Sequence, residues 1–169
     1  MRILWTLPYL PWPTTSGSKT RQYHLIRALA QRGHRITLLV QSKMPLGDAA
    51  RDALEPLLER LIVIPRRPLH SPLNLLASPI IAYPMRAIIN GLAPCLRHRF
   101  EQLLDEPWDV IQIEHSYSFQ PFEKALQARG LPYMLSEHTL ESVMGSASHD
   151  RLPLWPVSYT HLTLPTNRE

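Results

Sequence analysis

Three segments that lie far apart in the sequence carry residue types capable of binding or proton-transfer chemistry. The first contains Gly17 and Ser18, just ahead of a helical pattern. The second is Glu114–His115, and the third contains His138 and Glu141; each follows a short apolar run. Carboxylates and imidazoles can orient hydroxyl groups or move a proton near neutral pH, and backbone amides at the start of a helix favour an anion. These segments predict one polar site assembled from distant parts of the chain.

The first segment matches neither of two common phosphate-binding motifs. A P-loop requires a glycine directly before the lysine, whereas Ser18 precedes Lys19 here. A dinucleotide fingerprint requires further glycines two and five residues after the first, and Gly17 has neither. What remains is a flexible glycine with amides at a helix start, which favours an anionic group. The alternative is that Gly17 and Ser18 only shape a turn and cap the helix.

The other two segments each allow a plainer explanation. Because adjacent strand residues point to opposite faces, we expect only one of Glu114 and His115 to face a crevice; otherwise both are solvated loop residues. His138 and Glu141 are three residues apart and could share a helical face, as some metal ligands do. No third ligand stands at a diagnostic interval, so we expect no metal, and Thr139 as a helix N-cap explains the segment equally well.

Short apolar runs alternate with helical patterns along the chain. The helical patterns run from Lys19 to Gly33, from an Asp48 N-cap through Leu61, between Ser71 and Leu104, and over Pro121–Arg129. The strand-length runs are Arg2–Leu7, Arg35–Val40, Leu61–Ile64, Val110–Ile113 and Tyr133–Ser136. This alternation predicts an α/β fold, a Rossmann-like doubly wound parallel sheet of about five strands in the order 3-2-1-4-5. Its crevice would lie beyond the carboxyl ends of the first and fourth strands.

Composition limits the classes of partner. The 169-residue chain has 18 Lys and Arg against 14 Asp and Glu, a formal net charge of +4. The basic residues are scattered, without a stripe of interleaved aromatic residues, so we expect no nucleic-acid partner. Cys95 is the single cysteine, which excludes an intrachain disulfide. We expect it to be a buried, inert thiol in a reducing compartment.

Two apolar stretches raise the question of a membrane. Met1–Leu10 is broken by Pro8 and lacks a small-residue cleavage site, so we interpret it as a strand rather than a signal peptide. Leu73–Leu96 contains a charged residue and three prolines, and we do not expect it to cross a bilayer. The hydrophobic and basic residues of Leu73–Arg99 could let the domain lie on a membrane surface, with a packed helix pair as the alternative.

Several of these segments resemble a known family in combination. Gly17-Ser18-Lys19-Thr20-Arg21, the helix that ends at Gly33-His34 and the strand after it look like the opening of family-four glycosyltransferases. Residues 108–115 and 136–142 are similar to the ends of the fourth and fifth strands in that family. The resemblance covers about residues 1–152, and its specificity lies in the combination rather than in any one segment.

The resemblance implies a GT-B enzyme, in which two Rossmann-like domains face a cleft and the first binds the acceptor. The intact enzyme would transfer a hexosyl group, with retention, from a nucleotide-sugar donor to a glycan or glycolipid acceptor in polysaccharide or cell-envelope synthesis. Gly17 and Ser18 would form the donor-phosphate loop, Glu114 and His138 would be catalytic, and His115 and Glu141 would line the acceptor-side cleft. Many relatives have a histidine where this chain has Glu114.

The same resemblance sets expectations for organisation and partners. The missing partner is a C-terminal domain that binds the nucleotide-sugar donor; the acceptor-side domain itself would bind no cofactor and would be inactive alone. We expect a cytoplasmic protein, with peripheral contact at the inner face of the plasma membrane. Residues 156–169 resemble the translation of a sequencing-library adapter of the kind fused to metagenomic reading frames. We therefore expect a domain at 1–152 and a non-native or disordered tail at 153–169, with an edge strand as the alternative.

Two rival functions remain open. A nucleotide-cofactor oxidoreductase or epimerase could use a Rossmann-like fold, although the absent G-x-G-x-x-G motif argues against it. A single-domain binding or regulatory module would have the same fold, and fold alone does not exclude it.

Overall fold

A twisted parallel sheet forms the centre of the chain. The computed structural model describes residues 1–66, 95–115 and 118–136. In this part of the chain a five-stranded sheet has the order β3-β2-β1-β4-β5, with every neighbouring pair parallel. The strands are β1 Arg2–Leu7, β2 Arg35–Ser42, β3 Arg60–Pro65, β4 Val110–Glu114 and β5 Met134–Ser136. The predicted strand order and the doubly wound Rossmann-like fold are confirmed.

Helices connect the strands and cover the sheet. They are α1 Gly17–Gln31, α2 Asp48–Leu54, α3 Leu96–Leu103 and α4 Gln120–Arg129, and a 3-10 turn over Glu55–Leu57 follows α2. Two details of the second predicted helix are wrong. Gly47 is the N-cap, and Asp48 is the first helical residue. The helix does not reach Leu61, because Pro56 lacks the amide that an α-helix interior needs, and Leu61 lies in β3 instead.

The central strands β1, β2 and β4 are buried on both faces of the sheet, which is typical of parallel sheets. Because side chains alternate along a strand, β1 contributes to two cores. Ile3, Trp5 and Leu7 pack with Ile26 of α1 on one face. Leu4 packs on the other face, where α3 and α4 meet; there the Phe100 and Phe122 rings lie 4.3 Å apart between centroids. The two cores therefore hold α1 on one face of the sheet and α4 on the other.

The region of α3 corrects one prediction and leaves others open. Cys95 is exposed, so the prediction of a buried thiol is wrong. The apolar stripe that faces the core begins one residue later, with Leu96, Phe100 and Leu103, and Cys95 only precedes the helix, with a φ of 62°.

The expected helices from Ser71 onward lie largely outside the described residues, as do the boundary at 152 and the tail. Within the described ranges no helix has the length and hydropathy needed to cross a bilayer.

The amino-terminal edge of the sheet is held by a group of ion pairs. Glu106 accepts hydrogen bonds from Arg2 of β1 at 3.0 Å and Arg60 of β3 at 2.7 Å. Both guanidinium groups lie over the ring of Trp108, at 4.8 and 5.8 Å from its centroid. The hydrogen bond from Arg60, followed by that from Arg2, lowers the pKa of the Glu106 carboxyl. This group joins β1, β3 and the segment before β4, which are not all neighbours in the sheet.

The lowered pKa of Glu106 predicts an acid-dependent contribution to stability. Because the folded-state pKa lies below the ordinary value, the contribution is present above that value and is lost as the pH falls through the lowered pKa. We expect Glu106→Gln to reduce the free energy of unfolding by about 0.5–1 kcal/mol at neutral pH. Urea titrations between neutral and acid pH should show the difference shrinking below pH ~4. Glu101→Gln, on the exposed surface of α3, is the control, and a difference that stays constant into strong acid would contradict the interpretation.

Both ends of α1 have recognisable capping. Ser16, rather than Ser18, is the N-cap, and its hydroxyl accepts a hydrogen bond from the amide of Lys19. At the other end Gly33 has a φ of 81°, as the predicted C′ glycine requires. The amide of Gly33 donates to Ala30 O at 2.9 Å and that of His34 to Leu29 O at 3.1 Å, which is a Schellman motif.

Two glycine substitutions on α1 should have opposite consequences. Gly33→Ala places a side chain at a positive φ, so we expect a loss of about 1 kcal/mol in the free energy of unfolding. Gly17→Ala lies at the first helical position, where φ is not positive and none of the described residues comes within 4 Å of an added Cβ. Its stability should be unchanged or slightly raised. Urea unfolding of the two variants measures both effects, and equal destabilisation would refute the assignment of the C′ position.

Candidate functional site

The loop after β1 and the end of β4 meet at the carboxyl edge of the sheet. β1 and β4 pair in parallel, from Ile3 opposite Val110 to Thr6 opposite Ile113. Their carboxyl ends therefore lie side by side, next to the first turns of α1. The polar side chains gathered there are Tyr9, Ser18, Arg21, Glu114 and His115. We call this group the crevice cluster.

Glu114 lies at the back of the crevice cluster. Its side chain is 0% exposed, so the alternative of a solvated loop residue is wrong. The side-chain amide of Gln112 donates to Glu114 Oε1 at 2.9 Å and to Ser136 Oγ at 2.5 Å. Arg21 Nη1 lies 4.0 Å from Glu114 Oε2, and the Arg21 side chain is 51% exposed. A buried carboxylate needs such partners to offset its lost hydration.

His115 follows β4 in a left-handed conformation. Its φ is 69°, an uncommon value for a residue with a side chain, and such strain concentrates at functional sites. The His115 amide donates to Ser136 O at 2.8 Å, and the Ser118 hydroxyl donates to the carbonyl groups of Glu114 and His115. His115 has therefore left the extended strand, and strand alternation no longer separates its side chain from that of Glu114. It too is buried, at 6% exposure, which excludes the solvated alternative.

Tyr9 links the first loop to His115. Its hydroxyl lies 3.0 Å from His115 Nε2, and the ring centroids are 5.7 Å apart. Burial raises the pKa of the Tyr9 phenol, and the negative charge of Glu114 adds to that effect; the hydrogen bond with Ser18 and the positive charge of Arg21 oppose it. The phenol is therefore protonated at neutral pH and can donate to Nε2 of a neutral imidazole.

The predicted phosphate loop lies beside this pair. Gly17 is the first residue of α1 and is exposed. The chain itself does not require a glycine there, because its φ is not positive and an added Cβ would meet none of the described residues. Ser18 follows at the second position, and its side chain lies near enough to Tyr9 to lower the pKa of that phenol. The opening residues of α1 thus border the crevice and allow a group from outside the chain to approach the backbone closely.

The structure brings together four of the six predicted site residues. Gly17, Ser18, Glu114 and His115 lie around the same crevice, whereas His138 and Glu141 are outside the described residues. Within residues 1–66, 95–115 and 118–136, no group of three or more His, Cys, Asp or Glu side chains could hold a metal ion.

Sequence reasoning missed Tyr9, Arg21 and Gln112 as members or supports of the site. Tyr9 could have been included because it lies in the loop after the first strand, which the strand order already placed at the crevice. The position of Gln112 gave no comparable signal, since a glutamine inside an apolar strand indicates only that some partner is present.

The fold and the crevice cluster define a Rossmann-like domain with a polar site at its topological switch point. The family model described as a glycosyl transferase 4-like domain matches residues 16–163, and the chain belongs to this family. No curated protein matches the chain. Among solved structures, it is similar to the C-terminal domain of a hydrogenase from Pyrococcus furiosus, with a TM-score of 0.50 and 18% identity over 79% of this chain and 88% of that one. That likeness concerns the fold alone.

The burial of Glu114 predicts a large effect on stability. Glu114→Ala removes the acceptor of the Gln112 amide and the partner of Arg21, so we expect a loss of about 2–4 kcal/mol in the free energy of unfolding. Tyr9→Phe, at a half-buried position, should cost about 1 kcal/mol. Urea titration of both variants provides the comparison. A Glu114→Ala variant as stable as the wild type would contradict a structural role for Glu114. It would indicate that Glu114 serves substrate contact instead.

Proposed function

We propose that the chain is the acceptor-side domain of a retaining glycosyltransferase that moves a hexosyl group from a nucleotide sugar to a glycan or lipid-linked acceptor. Membership of the glycosyl transferase 4-like family supports the general activity. The observation that carries the finer proposal is the pair of Tyr9 and His115, whose Oη and Nε2 atoms lie 3.0 Å apart in the crevice cluster beside the exposed start of α1. Two side chains that can form hydrogen bonds with a substrate hydroxyl thus lie next to a helix start that favours phosphate.

The phosphate side of the proposed site is the start of α1. Gly17 and Ser18 occupy its first two helical positions, where backbone amides lack intrahelical acceptors. Such amides and the positive end of the helix dipole favour an anion. In the proposed reaction they face the donor diphosphate, whose negative charge grows as the bond between the anomeric carbon and the phosphate oxygen breaks. Stabilising that leaving group is the main contribution expected of preorganised dipoles.

The hydroxyl side is formed by Tyr9 and His115. When His115 Nε2 carries no proton, the protonated Tyr9 hydroxyl can donate to it and can still accept a hydrogen bond from an acceptor hydroxyl. That arrangement orients the acceptor oxygen toward the anomeric carbon and offers the imidazole as the final site for the released proton. The complete burial of Glu114 favours a role through neighbouring side chains rather than contact with the sugars.

Other parts of the proposal rest on the family resemblance. We propose His138 as a second catalytic residue and Glu141 as part of the acceptor-side cleft. A C-terminal domain would bind the nucleotide sugar, so the domain alone would not turn over and would hold no cofactor of its own. A cytoplasmic location at the inner face of the plasma membrane would suit a lipid-linked or cell-envelope acceptor.

A transfer assay tests the proposed activity. The intact enzyme is incubated with radiolabelled nucleotide sugars and extracts containing glycolipids and polysaccharides, and label should enter an acceptor with the anomeric configuration retained. Release of sugar to water alone, or inversion, would contradict the proposal. Titration of the chain with NADH or NADPH tests the oxidoreductase and epimerase alternative, and micromolar binding would favour that rival.

Substitutions on the two sides of the site should affect different kinetic constants of the intact enzyme. Tyr9→Phe removes the hydroxyl that orients the acceptor, and we expect kcat to fall about 100-fold with the donor KM little changed. Gly17→Ala adds a methyl group where the donor would approach, and the donor KM should rise about tenfold although stability is unchanged. Glu101→Gln, on the exposed surface of α3, is the control. Identical losses in both variants would argue against two separate subsites.

A further inference from the structure

Arg21 and Glu114 form an unusual ion pair, in which one partner is fully buried and the other reaches solvent. The Glu114 side chain is 0% exposed and that of Arg21 is 51% exposed. Exposed ion pairs on protein surfaces contribute little, and a buried carboxylate is costly unless its partners offset the lost hydration. The arrangement therefore needs an explanation other than stability alone.

The buried carboxylate is itself fixed in place. The side-chain amide of Gln112 donates to Glu114 Oε1 at 2.9 Å and also reaches Ser136 on β5. Gln112 and Glu114 are two residues apart on β4, so they face the same side of the sheet, the side on which α1 packs. Hydrogen bonds that involve β4 and β5 thus set the position of one negative charge behind the crevice.

That charge attracts the Arg21 guanidinium toward the crevice. The separation of 4.0 Å between Arg21 Nη1 and Glu114 Oε2 is too long for a hydrogen bond, so this contact acts through charge. The charges of Arg21 and Glu114 both act on the Tyr9 phenol, which places the guanidinium within the crevice cluster. A planar guanidinium that is half exposed and lies beside a buried negative charge is suited to two-pronged recognition of a phosphate group.

We propose that Arg21 is a diphosphate-binding residue of the crevice and that Glu114 is its positioning residue. This inference rests on the proposed function for its biological ligand, since a glycosyltransferase site meets a diphosphate in the nucleotide sugar and can meet another in a lipid-linked acceptor. The carboxylate does not repel the ligand strongly, because it lies behind the guanidinium and its charge is balanced there. Gln112 and Ser136 complete the support from β4 and β5.

Nuclear magnetic resonance of the arginine side chains tests the proposal on the chain itself. The Nε–Hε signal of Arg21 is assigned by its absence from Arg21→Lys, and inorganic pyrophosphate is titrated. We expect a saturable shift of that signal in the wild type, and calorimetric titration should show binding about tenfold weaker in Arg21→Lys, which keeps the charge but loses the planar fork. Arg27→Gln removes a charge from an exposed position on the same helix and should change affinity less than twofold.

The role of Glu114 needs variants that separate positioning from folding. Glu114→Gln should weaken pyrophosphate binding several-fold and shift the Arg21 signal before any ligand is added, and Glu114→Asp should restore part of the affinity. The double variant Arg21→Gln/Glu114→Gln replaces the pair by neutral side chains of similar shape and should fold but not bind. Circular dichroism and thermal unfolding verify that each variant is folded.

Comparison of ligands identifies the source of the diphosphate. Uridine diphosphate represents the donor and geranyl diphosphate a lipid-linked acceptor, and the tighter ligand at Arg21 indicates which one the residue meets. Equal losses in Arg27→Gln and Arg21→Lys, or no shift of the Arg21 signal, would overturn the proposal. Unchanged affinity in Glu114→Gln would overturn the positioning role. Pyrophosphate binding at Arg21 without any glycosyl transfer by the intact enzyme would contradict the proposed function but would still support the proposed anion site.

Discussion

The parallel pairing of β1 with β4 is the constraint on which the rest of the structure depends. After β3 the chain crosses back and adds β4 at the free side of β1, so the strand order reverses at this pair. Loops that leave adjacent parallel strands in opposite directions open a crevice at their carboxyl ends. Here the loop from β1 contributes Tyr9 and the end of β4 contributes Glu114 and His115. Without this one crossover, residues separated by more than a hundred positions would not meet.

Charged side chains serve the two edges of the sheet differently. At the amino-terminal edge, Glu106 lies between two arginines that stack on Trp108, and the group remains partly open to solvent. At the carboxyl-terminal edge, Glu114 is completely desolvated and only its arginine partner reaches the surface. The first arrangement suits a structural role, because the carboxylate of Glu106 and the two guanidinium groups hydrogen-bond with one another and so link the strands. The second places a half-exposed arginine beside a buried carboxylate, an arrangement that suits the proposed anion site.

The family and the fold carry different amounts of functional information. The chain belongs to the glycosyl transferase 4-like family, whereas its likeness to a hydrogenase domain from Pyrococcus furiosus extends only to the backbone arrangement. A doubly wound sheet supports many unrelated activities, and the side chains at its switch point decide among them. The left-handed residue His115 and its phenol partner Tyr9 are features of that kind, since neither is needed to build the sheet.

The sequence by itself determined the strands, their order and the carboxyl end of α1, because these follow from local patterns. Alternating apolar runs identify strands, and Gly33 marks a helix end through its freedom at positive φ. The sequence also placed four site residues at one edge of the sheet, since the order of parallel strands puts the carboxyl ends of the strands together. These residues are Gly17, Ser18, Glu114 and His115. Local patterns failed at two positions. Gly47 rather than Asp48 is the N-cap of α2. The buried face of α3 begins at Leu96, so Cys95 is not part of it.

Only the tertiary structure decided which polar groups are buried and which face the crevice. Glu114 looks in the sequence like an accessible acid, but the folded chain removes it from solvent and gives it Gln112 and Arg21 as partners. His115 leaves the strand in a left-handed turn that hydrogen bonds from Ser118 and to Ser136 hold in place. Burial and long-range hydrogen bonds depend on elements that are distant in the chain, and therefore no local pattern of residues encodes them.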